Sequence, residues 1–375
     1  MKQGLLNEIG SEFDIPIETL YELFLSKRKF YQDKYFIRNI VDIVYLSNGR
    51  TAIKYILSHI IKKKRIRTCW LPSYLCETII QPFKELNLEY KFFNIKENLQ
   101  LDIDYLSKRI KKNDLILALY YFGFPPNENV VNFLNKSKDS NVIILEDLTH
   151  SFLSRNIYLN KLGNYSIISL RKWFGIPDGG IAISNDDLFD KDIIIKKPFD
   201  EFVNLRLQYS VLKNFYIKKI IDKNKSFRKL HNKAEELVNS VIDLNIMSNL
   251  SKAILDTIDF NTIIYKRRKN YNYLLSCIHN LDKIKILYPI LSDDVCPLGF
   301  PVIFEKRDSL RKYLINNNIY CPVHWHLPED IPKNFSYSYS LSKNILTIPC
   351  DQRYSIKDMK IIVEKVKKFY ENINN

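Results

Sequence analysis

Residues 142–150 read Val142-Ile143-Ile144-Leu145-Glu146-Asp147-Leu148-Thr149-His150. Four consecutive apolar residues suit a strand buried on both faces, as in a parallel sheet covered by helices, and the run from Val142 to Leu145 stops abruptly at two carboxylates. The flanking sequence repeats this β/α alternation. Towards the N-terminus, Val41 to Ser47 reads as a strand feeding a helix from Thr51 to Ile61. Thr68 to Leu71 reads as a strand ended by Pro72, followed by a helix from Glu77 to Leu86 and a strand from Tyr90 to Asn94. Leu115 to Phe122 is another buried strand, closed by Gly123-Phe124-Pro125-Pro126, and Asn127 to Lys136 is the next helix. Towards the C-terminus, Ser166 to Leu170 and Gly180 to Ser184 read as two strands joined through a turn at Pro177-Asp178-Gly179.

From about Asp200 to Leu281 the pattern turns helical, with segments Leu205 to Ile221, Lys233 to Val241 and Leu250 through His279. The remainder, with a strand at Gly299 to Phe304 and helices at Ser309 to Asn316 and Ile356 to Tyr370, reads as a compact α+β tail. The alternation predicts an α/β chain in two parts. Residues 1–240 form a large domain with a mainly parallel seven-stranded sheet between helices and an N-terminal helical segment; residues 241–375 form a smaller α+β domain.

The 375 residues carry 57 Lys and Arg against 42 Asp and Glu, a formal charge of +15. Such a charge suits nucleic acid, an acidic surface or phosphorylated small molecules, and does not choose among them. The one dense run, Lys62-Lys63-Lys64-Arg65-Ile66-Arg67, follows an amphipathic helix and reads as its solvated end. A nucleic-acid-binding module would interleave aromatic with basic residues on one face, which the sequence does not offer. The six cysteines, Cys69, Cys76, Cys277, Cys296, Cys321 and Cys350, are widely spaced without a CxxC pair, which fits a reducing cytoplasm. No uncharged stretch reaches membrane-spanning length and the N-terminus lacks a signal-peptide core, so a cytoplasmic protein with no membrane partner is expected.

In open parallel sheets ligands bind beyond the carboxyl ends of the strands, so polar residues there are the first candidates for chemistry. Asn48-Gly49-Arg50-Thr51-Ala52 joins a strand to a helix, where free backbone N–H groups suit a phosphate. Alone, that turn is equally ordinary helix capping. Asp147 falls at the rim of the sheet with little water and wants a cationic partner, which a protonated pyridine nitrogen or a plain salt bridge would supply. Lys172 lies in Ser169-Leu170-Arg171-Lys172-Trp173-Phe174-Gly175-Ile176-Pro177-Asp178-Gly179-Gly180, and apolar neighbours there would lower its amine pKa and favour imine formation. In so Lys-rich a chain, only its surroundings single it out.

Taken in order, Asn48-Gly49-Arg50-Thr51-Ala52-Ile53, Pro72-Ser73-Tyr74, Tyr121-Phe122-Gly123, Glu146-Asp147-Leu148-Thr149-His150 and Lys172 with Gly179-Gly180 resemble the ordered motifs of the DegT/DnrJ/EryC1/StrS family. That family consists of fold-type I pyridoxal 5'-phosphate (PLP) enzymes, mostly sugar-nucleotide aminotransferases. The likeness is strong from about Val41 to Ser184 and weak from Met247 to the C-terminus. It implies that Gly49, Arg50 and Thr51 grip the cofactor's phosphate with help from Ser169, and that Asp147 binds the pyridinium. It further implies that His150 is directed at the cofactor, that Tyr74 or Cys76 lies near the pyridine face, and that Lys172 is both cofactor anchor and catalytic base. Ser169 stands three residues ahead of Lys172, whereas many family members place the serine five ahead.

The loop that in the family reaches the partner subunit corresponds loosely to Leu244-Asn245-Ile246-Met247-Ser248, retaining Asn245 but no Arg. Cys321-Pro322-Val323-His324-Trp325-His326 invites a metal reading, but no fourth ligand is nearby. The resemblance puts His324 and His326 at the substrate rim instead, so no metal is expected. A nucleotide-sugar substrate, an amino-acid donor and a homodimer follow from the same resemblance. The alternatives are a PLP-binding homologue with a different substrate or reaction, such as non-sugar transamination or dehydration, and the basic nucleic-acid-binding module.

Overall fold

The computed structural model describes residues 8–25, 40–155, 159–221, 226–240 and 243–372. A short strand β1 (Ile9–Gly10) leads in. The central sheet follows, with β2 (Asp42–Leu46), β3 (Cys69–Pro72), β4 (Tyr90–Phe93), β5 (Leu115–Leu119), β6 (Ile143–Asp147), β7 (Tyr165–Ser169) and β8 (Gly180–Ser184). Its spatial order is β2-β8-β7-β6-β5-β3-β4. From β7 to β4 every neighbouring pair is parallel, while β8 runs antiparallel to both β7 and β2. One reversed strand therefore sits in an otherwise parallel sheet of seven, and all the parallel strands end at the same edge.

Burial on both faces explains the apolar runs. In β6, Ile143 and Leu145 join the core on one side of the sheet and Ile144 joins the core on the other. The side-chain period of two sends alternate residues to opposite faces, so a strand with helices on both sides must be apolar throughout. Glu146 and Asp147 belong to this strand and are both buried. Glu146 is satisfied internally, accepting from Gly163 N at 2.8 Å, Tyr120 Oη at 3.0 Å and Ser166 Oγ at 3.3 Å. Asp147 faces the rim.

The C-terminal part is built on an antiparallel sheet of β9 (Lys285–Ile286), β10 (Phe300–Ile303) and β12 (Ile345–Ile348). β1 pairs in parallel with β11 (Ile319–Tyr320), so the N-terminal segment is tied to the C-terminal part. The expected helix from Leu250 through His279 is two helices, Asn249–Leu255 and Phe260–Ile278. Asp259 caps the second by accepting from Asn261 N at 3.0 Å, and a cap starts a helix rather than continuing one. The expected strand to Phe122 ends at Leu119 and gives way to a tight turn over Tyr121–Gly123.

The helices Asp200–Ile217 and Phe227–Ser240 pack on each other as a hairpin. Their contacts form small apolar clusters of their own, Phe202, Val203, Leu205, Ala234 and Val238 in one and Tyr209, Tyr216 and Phe227 in the other, separate from the two main cores.

The Gly-Gly pair positions the phosphate-suited turn. Gly179 N donates to Ser47 O at 2.6 Å, and a Cβ added to Gly180 would stand 2.2 Å from Asn48 O. Only a residue without a side chain lets the start of β8 lie against the Asn48–Gly49 backbone. Gly180→Ala is expected to destabilise the chain by about 1–3 kcal/mol through overpacking, read as a lower urea midpoint at unchanged denaturant dependence.

Candidate active site

Beyond the carboxyl ends of β6 and β7 lies a cavity of about 820 Å³, within the range of roughly 300–1,000 Å³ usual for small-molecule sites. Asp147 and Lys172 both line it, together with Gly49, Arg50, Cys76, His150, Ser169 and His324. Asp147 is paired in register with Ile167 across the β6–β7 ladder. Its carboxylate and the turn after β7 therefore open onto one space. Lys172 ends the short 3₁₀ turn Leu170–Lys172 that follows β7, and its side chain is exposed to that space.

Asp147 Oδ1 accepts from Thr149 N at 2.8 Å. Burial pushes its carboxyl up to about 6, against the hydrogen bonds from Thr149 and the charge of Lys172. His150 Nδ1 accepts from Phe122 N at 3.3 Å, which leaves the proton of the neutral ring on Nε2. Burial, with the charge of Lys172 nearby, keeps His150 from protonating. Trp325 stacks on it with centroids 5.1 Å apart. His324, whose Nδ1 lies 2.9 Å from Thr347 Oγ1, is pushed down to about 3 by burial and then by Lys172. Both imidazoles are neutral at pH 7.

At the other pole, Asn48 caps the helix Gly49–Lys63 by accepting from Thr51 N at 2.9 Å. Cap geometry leaves the N–H groups of the first turn without helical acceptors, an arrangement that attracts anions. A Cβ on Gly49 would lie 3.0 Å from Ser169 Cβ and 3.6 Å from Ser169 Oγ, so the glycine lets that hydroxyl lie close to the helix end. The Arg50 guanidinium is turned away, to Gln81 Oε1, Asn239 Oδ1 and Val238 O. What Arg50 offers that end of the cavity is its backbone.

Four of the residues singled out in the sequence do not line this cavity. Thr51 points back into the chain, its hydroxyl 3.1 Å from Ser47 Oγ. Tyr74 is fully buried behind the wall, donating to His324 O and packed against Tyr121 and Trp325. Asn245 lies under the phosphate-suited turn, its O accepting from Ser47 N at 2.9 Å and its Nδ2 donating to Lys197 O at 2.8 Å. Of the two histidines expected at the substrate rim, His324 faces the cavity and His326 is exposed to solvent.

Three contributors were not singled out by sequence. Thr149 joins the two loops, since its Oγ1 accepts from Ser169 N at 3.1 Å and its O accepts from Trp173 Nε1 at 2.7 Å. Trp325 forms the wall against His150. Arg171, next to the lysine, binds the helical hairpin. No pattern of spacing marks Thr149, because its role lies in contacts across the sheet.

Among the described residues, Glu12, His231 and Glu235 have ligand-like spacing, their donor atoms within 4.8 Å of one another. Both carboxylates already carry guanidinium partners, with Arg206 reaching Glu12 at 2.8 Å and Glu235 at 3.2 Å and Arg171 reaching Glu235 at 2.8 Å. A metal would have to displace those cations, so the cluster is an ion-pair network.

No protein-family model and no curated protein matches the chain. Solved structures do match over the whole length. A putative sugar aminotransferase, Spr1654 from Streptococcus pneumoniae, has a TM-score of 0.68 in its PLP form at 12% identity, covering 98% of this chain and 99% of that one. PseC from Helicobacter pylori, an aminotransferase involved in pseudoaminic acid biosynthesis, gives 0.66 at 14% identity, covering 98% and 100%. A DegT/DnrJ/EryC1/StrS aminotransferase from Brucella abortus gives 0.63 at 14% identity, covering 94% and 95%. The fold is that of the fold-type I PLP-transferases. No helix among the described residues is long and apolar enough to cross a membrane.

The raised Asp147 carboxyl makes stability depend on pH. Between about pH 4 and 6 the folded chain holds a proton here that the unfolded chain has released, so stability falls as pH rises through that window. Asp147→Asn removes this loss. The stability of cofactor-free wild type minus that of the variant is expected to drop by up to roughly 3 kcal/mol from pH 4 to pH 7, measured by urea unfolding at each pH.

Proposed function

We propose that the chain is a PLP-dependent aminotransferase that converts a nucleotide-linked keto-sugar to an amino-sugar, with glutamate or glutamine as amino donor. The observation that carries this reading is that Lys172 and the buried Asp147 line one cavity with Gly49 and Ser169 at the helix end.

The residues fit the cofactor at three points. Ser169 Oγ and the first-turn N–H groups beyond Asn48 would take its phosphate. Asp147 would take its ring nitrogen, because a cation opposite a buried carboxylate offsets the desolvation that raises it. Lys172 would take its aldehyde. Bound there, PLP supplies an electrophilic carbon for amines and a protonated ring that accepts an electron pair.

This chain's side chains then have separable tasks. Lys172 Nζ moves the substrate's proton. Asp147 keeps the ring nitrogen charged. His150 presents an Nε2–H donor at the cavity wall, held by the Phe122 amide and the Trp325 stack. His324, neutral and fixed by Thr347, offers a second polar contact without adding charge. Arg50 aside, whose guanidinium is turned away, the described residues lining the cavity include eight Lys and Arg against five Asp and Glu. That excess supports an anionic substrate such as a nucleoside diphosphate sugar. A homodimer working in the cytoplasm completes the proposal.

A PLP enzyme with another substrate or reaction is the second reading, favoured by Ser169 standing three residues from Lys172. Transamination requires that glutamate or glutamine alone convert bound cofactor to its amine form, seen as loss of the visible absorbance band. A holoenzyme inert to both donors would leave the second reading in place. Lys172→Ala is expected to lack the visible band and to lose turnover by several orders of magnitude, as expected for an anchor and base combined. Ser169→Ala, losing one hydrogen bond to a charged group, is expected to weaken cofactor binding about 10- to 100-fold in equilibrium dialysis.

A further inference from the structure

The hairpin Asp200–Ile217 and Phe227–Ser240 has its own small apolar clusters; Leu207 packs against a main core, and polar contacts make further connections to the rest of the chain. Lys213 and Asn214 bind the N-terminal segment at Ser11, Glu12 and Asp14, and another set of contacts reaches the lysine-bearing turn. Glu235 accepts from Arg171 at 2.8 Å and from Arg206 at 3.2 Å; Arg206 also reaches Glu12 at 2.8 Å, and Glu12 lies 3.2 Å from His231 Nε2. The five side chains form one alternating file that joins the turn, both helices and the N-terminal segment. A second connection holds the phosphate pole, where Arg50 donates to Val238 O and Asn239 Oδ1 of the same hairpin.

The file is electrostatically tight. Burial works to raise Glu12, but the hydrogen bond from His231 and the charges of Arg206 and Arg171 hold it well below the usual carboxylate range. Burial works to lower Arg171, and Glu235 and Glu12 outweigh it. The Nε atoms of Arg171 and Arg206 are buried without an acceptor, so the carboxylate contacts are the polar fixings of both guanidiniums. Arg171 also packs over the Phe202 ring at 5.5 Å. Because the turn Leu170–Lys172 spans three residues, a fixed Arg171 guanidinium fixes the backbone from which Lys172 projects.

We propose that Arg171 and Glu235 are positioning residues, through which the hairpin of the same chain sets the stance of Lys172 and closes the phosphate pole. The claim rests on the PLP reading for its effect on the cofactor. The docking of the hairpin in its own chain stands independently of that reading.

Two measurements test it. In the first, Glu235→Gln and Arg171→Met each release PLP roughly tenfold faster or more than wild type, as expected when the ion pair that fixes the turn is broken. Their kcat falls while KM for the donor holds, and Arg171→Lys restores most of both. Wild-type release rates in the two variants, from protein that binds PLP normally before mutation, overturn the proposal. A wild type that takes up no PLP overturns the proposed function instead.

In the second, Arg171→Lys, which keeps the charge, is treated with a zero-length carbodiimide and resolved on a denaturing gel. The peptide joining positions 171 and 235 is expected in the single-chain band. Its recovery only from a covalent dimer, or from no band, overturns docking within one chain.

Discussion

A desolvated carboxylate at the end of a parallel strand is the constraint on which the site depends. Asp147 can be held there because β6 is covered on both faces, and the same burial raises its carboxyl to about 6. The fold delivers the complement to that charge without a long loop. β7 lies beside β6 in parallel, so the turn after β7 brings Lys172 to the rim where Asp147 opens. Thr149 keeps the two loops in register by contacting Asp147, Ser169 and Trp173. The reversed β8 then returns the chain so that Gly179 and Gly180 press against the Asn48–Gly49 turn, which sets the anion-suited end of the cavity.

The neighbouring Glu146 shows why burial alone does not make a site. It is as buried as Asp147 and is pushed up to about 7, but Gly163, Tyr120 and Ser166 all donate to it from within the core. It has no open side and serves the packing of the sheet. Asp147 differs by facing a space in which a ligand can supply a cation.

The large sheet was legible because its signals are local. Gly180–Ser184 forms a strand as read, and the runs at Val41, Thr68, Tyr90 and Val142 mark their strands to within a residue or two. The small sheet was less legible, since β9 and β12 are short and depend on pairing with β10 across the C-terminal part. The helical stretch after Leu250 hid a break because Asp259 caps a helix from inside a run that keeps its periodicity. At the site, positions along the chain were legible and directions were not. Thr51, Tyr74 and His326 lie in the right segments yet point into the chain, behind the wall and into solvent. Which way a side chain points in a turn is decided by long-range contacts such as that of Tyr74 with His324 O. Arg171 escaped notice for the same reason: its partner Glu235 is remote in sequence.

The central claim is that the amine of Lys172 reaches the aldehyde of a cofactor held by Asp147. Borohydride reduction of PLP-treated protein, followed by peptide mapping, tests it most directly. The account predicts a single stoichiometric pyridoxyl modification on the peptide containing Lys172, greatly diminished in Asp147→Ala. Scattered modification of surface lysines, or none at Lys172, would contradict it.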